Sequence, residues 1–518
     1  MGPDGLTRRD RDLIRDVLAR YPEVRRVTLF GSRAMGTFGR GSDIDLALEG
    51  RDLDARALTR IATELEDSDL PYKVDLLLRD EQLEPKLEAH IRRHGKPFGW
   101  EQTTLGSLGD ASRNAIVGGP FGSNLVSNDY ADQGVPVIRG QNMGFGRWVS
   151  GEFVFVSDAK ADSLRANWAR PGDVVFTQRG TLGQVAIVPG GPWARYVVSQ
   201  SQMKATIDPQ KADPHYVYYV FSNPSEKEYI AANAIQTGVP HTNLTQLRCH
   251  PIFLPPLDEQ RVIASVLGAL DDKIEQNRRT AQALEQLARA IFRAWFVDFE
   301  PVKAKAAGAT AFPSMPQPVF DALPTIFTDS AIGPVPEGWS VVRLDDILTL
   351  QRGFDLPKQS RNDGSHPIFA SSGMSGRHSE WKVRGPGVTT GRSGMLGQVF
   401  FVDRDFWPLN TSLWVKEYKR SNPWHAYFLL QTLDLAQFNA GSAVPTLNRN
   451  HVHSLPRVAA PDYLLAAFGQ MCDSTFSLEQ QLRIESDRIA TIRDYLLPKL
   501  LSGQIRVRDA ERSAGAVA

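Results

Sequence analysis

Asp43 and Asp45 stand two residues apart in the run Ser42-Asp43-Ile44-Asp45-Leu46-Ala47-Leu48, and Asp75 opens a second apolar stretch that ends at Leu78. Residues two apart on a strand share a face, so the first two carboxylates project together. That arrangement grips a divalent cation, with Asp75 as third ligand. Carboxylates around Mg²⁺ that leave room for water and phosphate oxygens suit nucleotidyl transfer. Gly31 and Ser32, just ahead of a helix, offer backbone N–H groups and a hydroxyl to a triphosphate, with Arg33 beside them. The expectation is therefore catalytic and metal-binding Asp43, Asp45 and Asp75, nucleotide-binding Gly31, Ser32 and Arg33, and Mg²⁺ with ATP or another nucleoside triphosphate. Three carboxylates held close repel one another, which argues that an intact set is used. The alternative is a fold kept only for docking.

A second set of polar residues would meet base edges, as the family resemblance and the two-copy repeat described below imply. Arg, Lys, Asn and Gln read bases through paired hydrogen bonds, while basic and small polar groups meet phosphates. Candidates are Arg139, Gln141 and Asn142; Gln178, Arg179 and Thr181; and Arg392 with Ser393. Glycines beside them let a loop backbone approach DNA. The competing reading is that recurring residues only hold turns together. Positions that differ between copies, Gln178-Arg179 against Arg392-Ser393, are the better candidates for reading bases.

The elements that position these groups follow from pattern. Residues 1–96 read as a compact α/β unit: a helix over about Thr7–Arg20, strand Val27–Phe30, the strand carrying Asp43 and Asp45, a helix near Ala55–Glu66 and strand Val74–Leu78. Beyond them the chain repeats. Gly180–Val188 reads GTLGQVAIV and Gly394–Val402 reads GMLGQVFFV. Gly99-Trp100 pairs with Gly338-Trp339, and Val239-Pro240, Asn243 and Pro256 recur as Val444-Pro445, Asn448 and Pro461. Three matches in the same order mark two copies of one module. Each has short β-branched and aromatic runs broken by Gly and Pro, which predicts short strands and loops.

Each copy then turns helical. After Leu-Pro-Pro-Leu-Asp-Glu-Gln (254–260), apolar or small residues fall at 270, 274, 281, 284, 288, 291 and 295, with Asn277 in the remaining slot. After Pro461 the slots are 468, 471, 475, 478, 482, 485, 489, 492 and 496. Steps alternating three and four make a heptad seam, predicting two long helices packed as a coiled coil. Polar Asn277, Thr475 and Glu485 cost stability there but fix register. The alternative is an ordinary core helix in each module. The expected domains are 1–96, module 97–256, helix 257–305, a proline-rich linker 306–335, module 336–460, helix 461–505 and a tail 506–518, an α+β multidomain chain.

The module, the Leu-Pro-Pro-Leu-Asp-Glu-Gln-Arg helix opening, the Gly-Asp-Val-Val-Phe-Thr-Gln-Arg-Gly run (172–180), the Trp295–Phe299 helix ending and a divergent second copy resemble the specificity subunit of type I restriction–modification systems. The resemblance covers roughly residues 97–505, and Ala459-Ala460-Pro461-Asp462 departs from the usual proline-leucine opening. It implies that each module reads one half of a split double-stranded DNA target. It also implies that methyltransferase subunits dock on the helices, that a motor-nuclease restriction subunit completes the complex, and that this subunit catalyses nothing. No GxxxxGK[ST] loop and no Asn-Pro-Pro-Tyr-type motif occurs. Gly-Ser followed by Ser-Asp-Ile-Asp-Leu and a later lone Asp resembles the minimal nucleotidyltransferases of the polymerase-β superfamily, which include antitoxins that adenylylate a toxin. That implies a second function to weigh: transfer of a nucleotide to a partner protein, nucleic acid end or small molecule, with the repeats used for targeting. A solitary DNA-binding antitoxin-like protein is a third.

Bulk properties set limits. The 518 residues carry 59 basic and 59 acidic side chains, so no overall basic signature points to nucleic acid. Residues 351–450 hold 12 basic and 7 acidic side chains, whereas residues 101–250 hold 12 of each. DNA binding then depends on where charge is placed. Two distant cysteines, no apolar run of membrane length and no leader-like start lead to the expectation of a cytoplasmic protein without a membrane partner.

Overall fold

The computed structural model describes residues 4–505 other than 19, 22, 25, 51–52, 81–82, 99–100, 145, 237–238, 441–443 and 504. Gly99-Trp100 of the repeat and the tail 506–518 lie outside the described residues. The chain divides into two compact units, Met1–Gln276 with Glu485–Ala518, and Asn277–Ile484.

In the first unit the front domain is a four-stranded sheet of β1 (Arg26–Phe30), β2 (Ile44–Glu49), β3 (Val74–Leu78) and β4 (Lys96–Pro97), in the order β3-β2-β1-β4. β1 runs antiparallel to β2 and β4, while β3 is parallel to β2. A parallel pair needs a crossover, and the helix Ala55–Glu66 supplies it. Ile61 and Leu65 of that helix share a core with Ile14, Leu46 and Leu48. β2 is paired on both edges, and Ile44, Leu46, Ala47 and Leu48 are buried, which leaves Asp45 as a half-exposed polar residue near its start. The sheet runs to Pro97, just past the boundary expected at 96.

The two modules share a plan. The first is closed by Glu101–Thr104 antiparallel to Pro251–Leu254, and the second by Ser340–Arg343 antiparallel to Pro456–Ala459. Inside the first lie a four-stranded sheet that includes Val174–Thr177, and a five-stranded sheet that includes Val135–Ile138. The second holds four-stranded and three-stranded sheets built around Ser412–Tyr418 and His366–Ala370. The recurring asparagines have a mechanical role. Asn243 caps the helix Leu244–Arg248 by accepting from the Gln246 N–H (2.8 Å), and Asn448 caps Arg449–His453 by accepting from the Asn450 N–H (3.0 Å).

The long helices are Leu257–Phe296 and Asp462–Leu501, 40 residues each, or about 60 Å at ~1.5 Å per residue. They pack antiparallel within each unit. In the first unit Arg493 Nη1 donates to Asp271 (2.7 Å) and Lys273 pairs with Glu485 (3.3 Å). In the second unit Asn277 Nδ2 donates to the Leu482 carbonyl (3.4 Å), and Phe292 meets Phe468 edge-on. Leu270, Asn277, Ala288, Ile291 and Trp295 are buried on one helix, and Phe468, Ile489 and Leu496 on the other. Thr475 instead turns back to its own Met471 carbonyl (2.8 Å). One slot differs from the expected seam: Leu478 is 43% exposed and Glu479 is buried in its place, so the seam steps four and then three after Thr475. The proline-rich stretch is also no free linker. Met315, Phe320 and Leu323 are buried in one core with Phe299 and Trp339, and Lys305 Nζ donates to the carbonyls of Asp321 (2.7 Å) and Leu323 (2.6 Å).

His425 sits in that second-unit core, beside Phe292 and Phe296 and hydrogen-bonded to Ser421 Oγ (2.8 Å). Burial disfavours its charged form and pushes its pKa down to about 3. Between there and the ordinary value the unfolded chain binds a proton that the folded chain does not, so stability falls as pH falls below ~6.5, by about 1.4 kcal/mol per pH unit. Urea midpoints between pH 6.5 and 5 should show this loss in the wild type. His425→Leu should flatten it.

Candidate nucleotide site and nucleic-acid interface

The strand register brings two of the three expected aspartates together. Asp45 and Asp75 are direct partners on parallel β2 and β3, while exposed Asp43 precedes β2. Partial burial, then the negative charges of Asp75 and Asp43, raise the pKa of Asp45. Gly31 lies against it, at φ +69° where side chains are disfavoured, and an added Cβ would collide with the Asp45 carboxylate. Gly31→Ala should therefore displace Asp45 and destabilise the domain by about 1 kcal/mol or more, read as a lower thermal midpoint. Gly31 and Ser32 begin a short helix, Gly31–Met35.

One expectation needs correction. Arg33 is 1% exposed. Its guanidinium donates to the carbonyls of Asp4 (2.9 Å), Ser42 (2.7 Å) and Asp43 (3.0 Å), and stacks on Tyr72. It braces the loop that carries Asp43 and offers nothing to a nucleotide. Among the described residues no three His, Cys, Asp or Glu groups stand together as a preformed metal site. Asp75 is instead drawn to Lys73 Nζ (2.7 Å).

In the first module Asn142, expected to read bases, is fully buried. Its Nδ2 donates to the carbonyls of Ser150 and Glu152 (3.2 and 2.9 Å) and its Oδ1 accepts from the Arg139 N–H (3.0 Å), so it braces a turn. Arg139 is half-buried beside Tyr130, and Gln141 is exposed. Gln178 is half-buried, whereas Arg179 and Thr181 are exposed on a loop whose Gly180 and Gly183 have φ of 94° and 81°. In the second module the matching Gly394 and Gly397 have φ of 92° and 87°, and Arg392 Nη1 donates to the Asn410 carbonyl (3.3 Å). The shared Gly-x-Leu-Gly is thus a turn that only glycine forms without strain. Arg392 and Ser393 are half-buried just ahead of it.

Sequence reasoning missed the segments that hold these loops. The Gln178 and Arg179 N–H groups donate to the Ser201 carbonyl (2.7 and 3.3 Å), and those of Arg392 and Ser393 to Thr411 (2.8 and 3.0 Å). Thr242 N–H donates to the Gln178 carbonyl (3.0 Å), and Leu447 N–H to that of Arg392 (2.8 Å). The recurring Val-Pro had flagged residues 239–242 and 444–447, but only as spacing.

Two family models match segments of this chain. Residues 99–286 and 336–456 match the family model described as "Type I restriction modification DNA specificity domain", and residues 12–99 match "Polymerase beta, Nucleotidyltransferase". The specificity subunit of the type I restriction enzyme MjaIX from Methanocaldococcus jannaschii is 24% identical over 370 residues, 65% of this chain and 78% of that one. The HindI specificity subunit from Haemophilus influenzae is 23% identical over 466 residues, 77% and 98% of the two chains. A crystal structure of the type I restriction–modification S subunit from M. genitalium aligns with TM-score 0.48 and 16% identity, covering 77% of this chain and 96% of that one. Most of each module falls within the matched segments, and the chain belongs to the type I restriction–modification specificity subunit family, with a nucleotidyltransferase-family domain in front.

Proposed function

We propose that this chain reads a two-part target on double-stranded DNA and recruits DNA methyltransferase and restriction subunits to it, acting in the cytoplasm. The observation that carries the reading is the doubled module: the same closing strand pair, asparagine-capped helix and clamped loop occur twice, each copy followed by a 40-residue helix. Arg179 and Thr181 at the loop tip, together with Gln178, Gln141 and Arg139, are the first module's proposed DNA contacts, and Arg392 and Ser393 the second's. No helix among the described residues is long and apolar enough to cross a membrane. The deciding experiment maps modified bases across the host genome with the gene intact and deleted. A split methyl-adenine motif that disappears on deletion supports the reading; an unchanged map rejects it.

We also infer that the front domain transfers a nucleotide from ATP or another triphosphate, with Mg²⁺, to an acceptor such as a partner protein. The register of Asp45 with Asp75 and the side-chain-free approach of Gly31 support this. Polymerase-β-type nucleotidyltransferase domains generally use a divalent metal, which neutralises the triphosphate. Asp43, Asp45 and Asp75 are the proposed ligands, and Asp75 must leave Lys73 to serve as one.

A further inference from the structure

One short segment in each module holds two loops, and a third loop is bridged to one of those two. In the first module, residues 199–202 take the Gly119 N–H on the Gln202 carbonyl (2.8 Å) and the Gln178 and Arg179 N–H groups on Ser201. Gln200 Nε2 donates to the carbonyls of Gly122 (2.5 Å) and Leu125 (2.8 Å), and His241 bridges to Arg179. In the second module, residues 409–412 take the Gly353 N–H on Ser412 (3.0 Å) and the Arg392 and Ser393 N–H groups on Thr411, and Thr446 bridges to Ser393. Both segments close the same turn, Gln202 N–H to Ser199 (3.1 Å) and Ser412 N–H to Leu409 (2.9 Å). A Cβ on Gly119 or on Gly353 would strike the carbonyl of Ser199 or Leu409, so each glycine lets its loop lie flat on the segment.

The equivalence aligns the tips, and the tips differ. The first module presents Phe121, Arg179, Thr181 and His241; the corresponding residues of the second are Asp355, Ser393, Met395 and Thr446. Phe121 is 88% exposed and Val239 63%, while Met395 and Val444 are about half exposed. Large apolar side chains held in water on loops pinned by backbone hydrogen bonds are suited to a partner that offers flat or methyl-bearing surfaces, which base faces and thymine methyls are.

Building on the DNA-reading function above, we propose that these three-loop tips are the base-reading faces, and that their exchange makes the two half-sites differ. A common scaffold with unlike tips is what two different half-sites require. Arg179 takes guanine through its paired donors, the commonest specific contact, and Phe121 stacks on an adjacent base. Met395 and Thr446 give the second face apolar contact with thymine methyls.

The test uses the full chain assembled with its methyltransferase subunits on a randomised duplex library, reading methylated sequences. Arg179→Ser should relax one G·C pair of one half-site by roughly 10- to 100-fold and leave the other half-site unchanged. Met395→Thr should alter only the other half-site. Phe121→Ala should lower methylation about 10-fold or more without changing the preferred bases. These side chains are exposed or half-exposed, and thermal midpoints equal to wild type would verify folding. Base preferences unchanged in Arg179→Ser and Met395→Thr, or only a uniform loss across both half-sites in those two variants, would overturn the inference while leaving the DNA-reading function intact. A wild-type complex that selects no split sequence overturns both.

Discussion

Asp45→Asn should reduce transfer of label from radioactive ATP, in the presence of Mg²⁺ and host lysate, by about 10³-fold, within the range a positioned catalytic carboxylate contributes. Asparagine keeps the shape of the side chain in β2 and removes only its charge. The fold should survive. Burial and the carboxylates of Asp75 and Asp43 raise the pKa of Asp45, so the folded domain holds that proton more readily than the unfolded chain. For such a group stability increases as pH falls, and the ionised form costs stability at neutral pH. Removing the charge is therefore expected to leave the fold at least as stable, and a thermal midpoint no lower than wild type checks this. Asp43→Ala should give the same loss, because Asp43 is exposed ahead of β2 and outside the core. Equal labelling by wild type and Asp45→Asn would place any activity elsewhere. No labelling by either would leave the front domain as a docking fold.

How much of this was legible beforehand varied with the physics. The front domain's elements could be read because its strands are apolar runs and its crossover helix is strongly amphipathic; the strand Val74–Leu78 and the helix Ala55–Glu66 fell where expected. Repeats were legible because the Gly-x-Leu-Gly turn demands positive φ twice, a constraint that only glycine meets without strain. Arg33 and Asn142 misled for one shared reason. Both carry the donors that nucleotide or base recognition wants, but the same donors satisfy buried backbone carbonyls equally well, and composition does not tell these uses apart. Leu478 misled differently: with Leu478 and Glu479 adjacent, the apolar residue was given the seam, whereas packing buries the glutamate. Segments 199–202 and 409–412 were invisible because they act through main-chain carbonyls, which leave no side-chain signature.

Affinity of the chain for its DNA target should fall by roughly 10³-fold between 50 and 200 mM salt, if about six phosphates are neutralised. The second module is expected to carry most of that dependence. In the first module several cations are already matched: Arg195 pairs with Asp158 and Asp162, Lys160 with Asp129, and Lys204 with Asp173. In the second module Arg343 and Arg404 are likewise paired, with Asp345 and Asp403, but Arg361 and Arg377 donate to the carbonyls of Ser375 (3.0 Å) and Ser365 (2.9 Å). A carbonyl orients a guanidinium without cancelling its charge, so both side chains are held in place and remain net positive. This fits the excess of 12 basic over 7 acidic side chains in residues 351–450. Arg361→Ala and Arg377→Ala should each lower the slope of log affinity against log salt by about one, and weaken all sequences alike. Arg195→Ala should leave the slope nearly unchanged, because its charge already faces two aspartates. Equal slopes for all three variants would mean that phosphates are met elsewhere. A flat salt response in the wild type would remove phosphate neutralisation from the account of how these modules hold DNA.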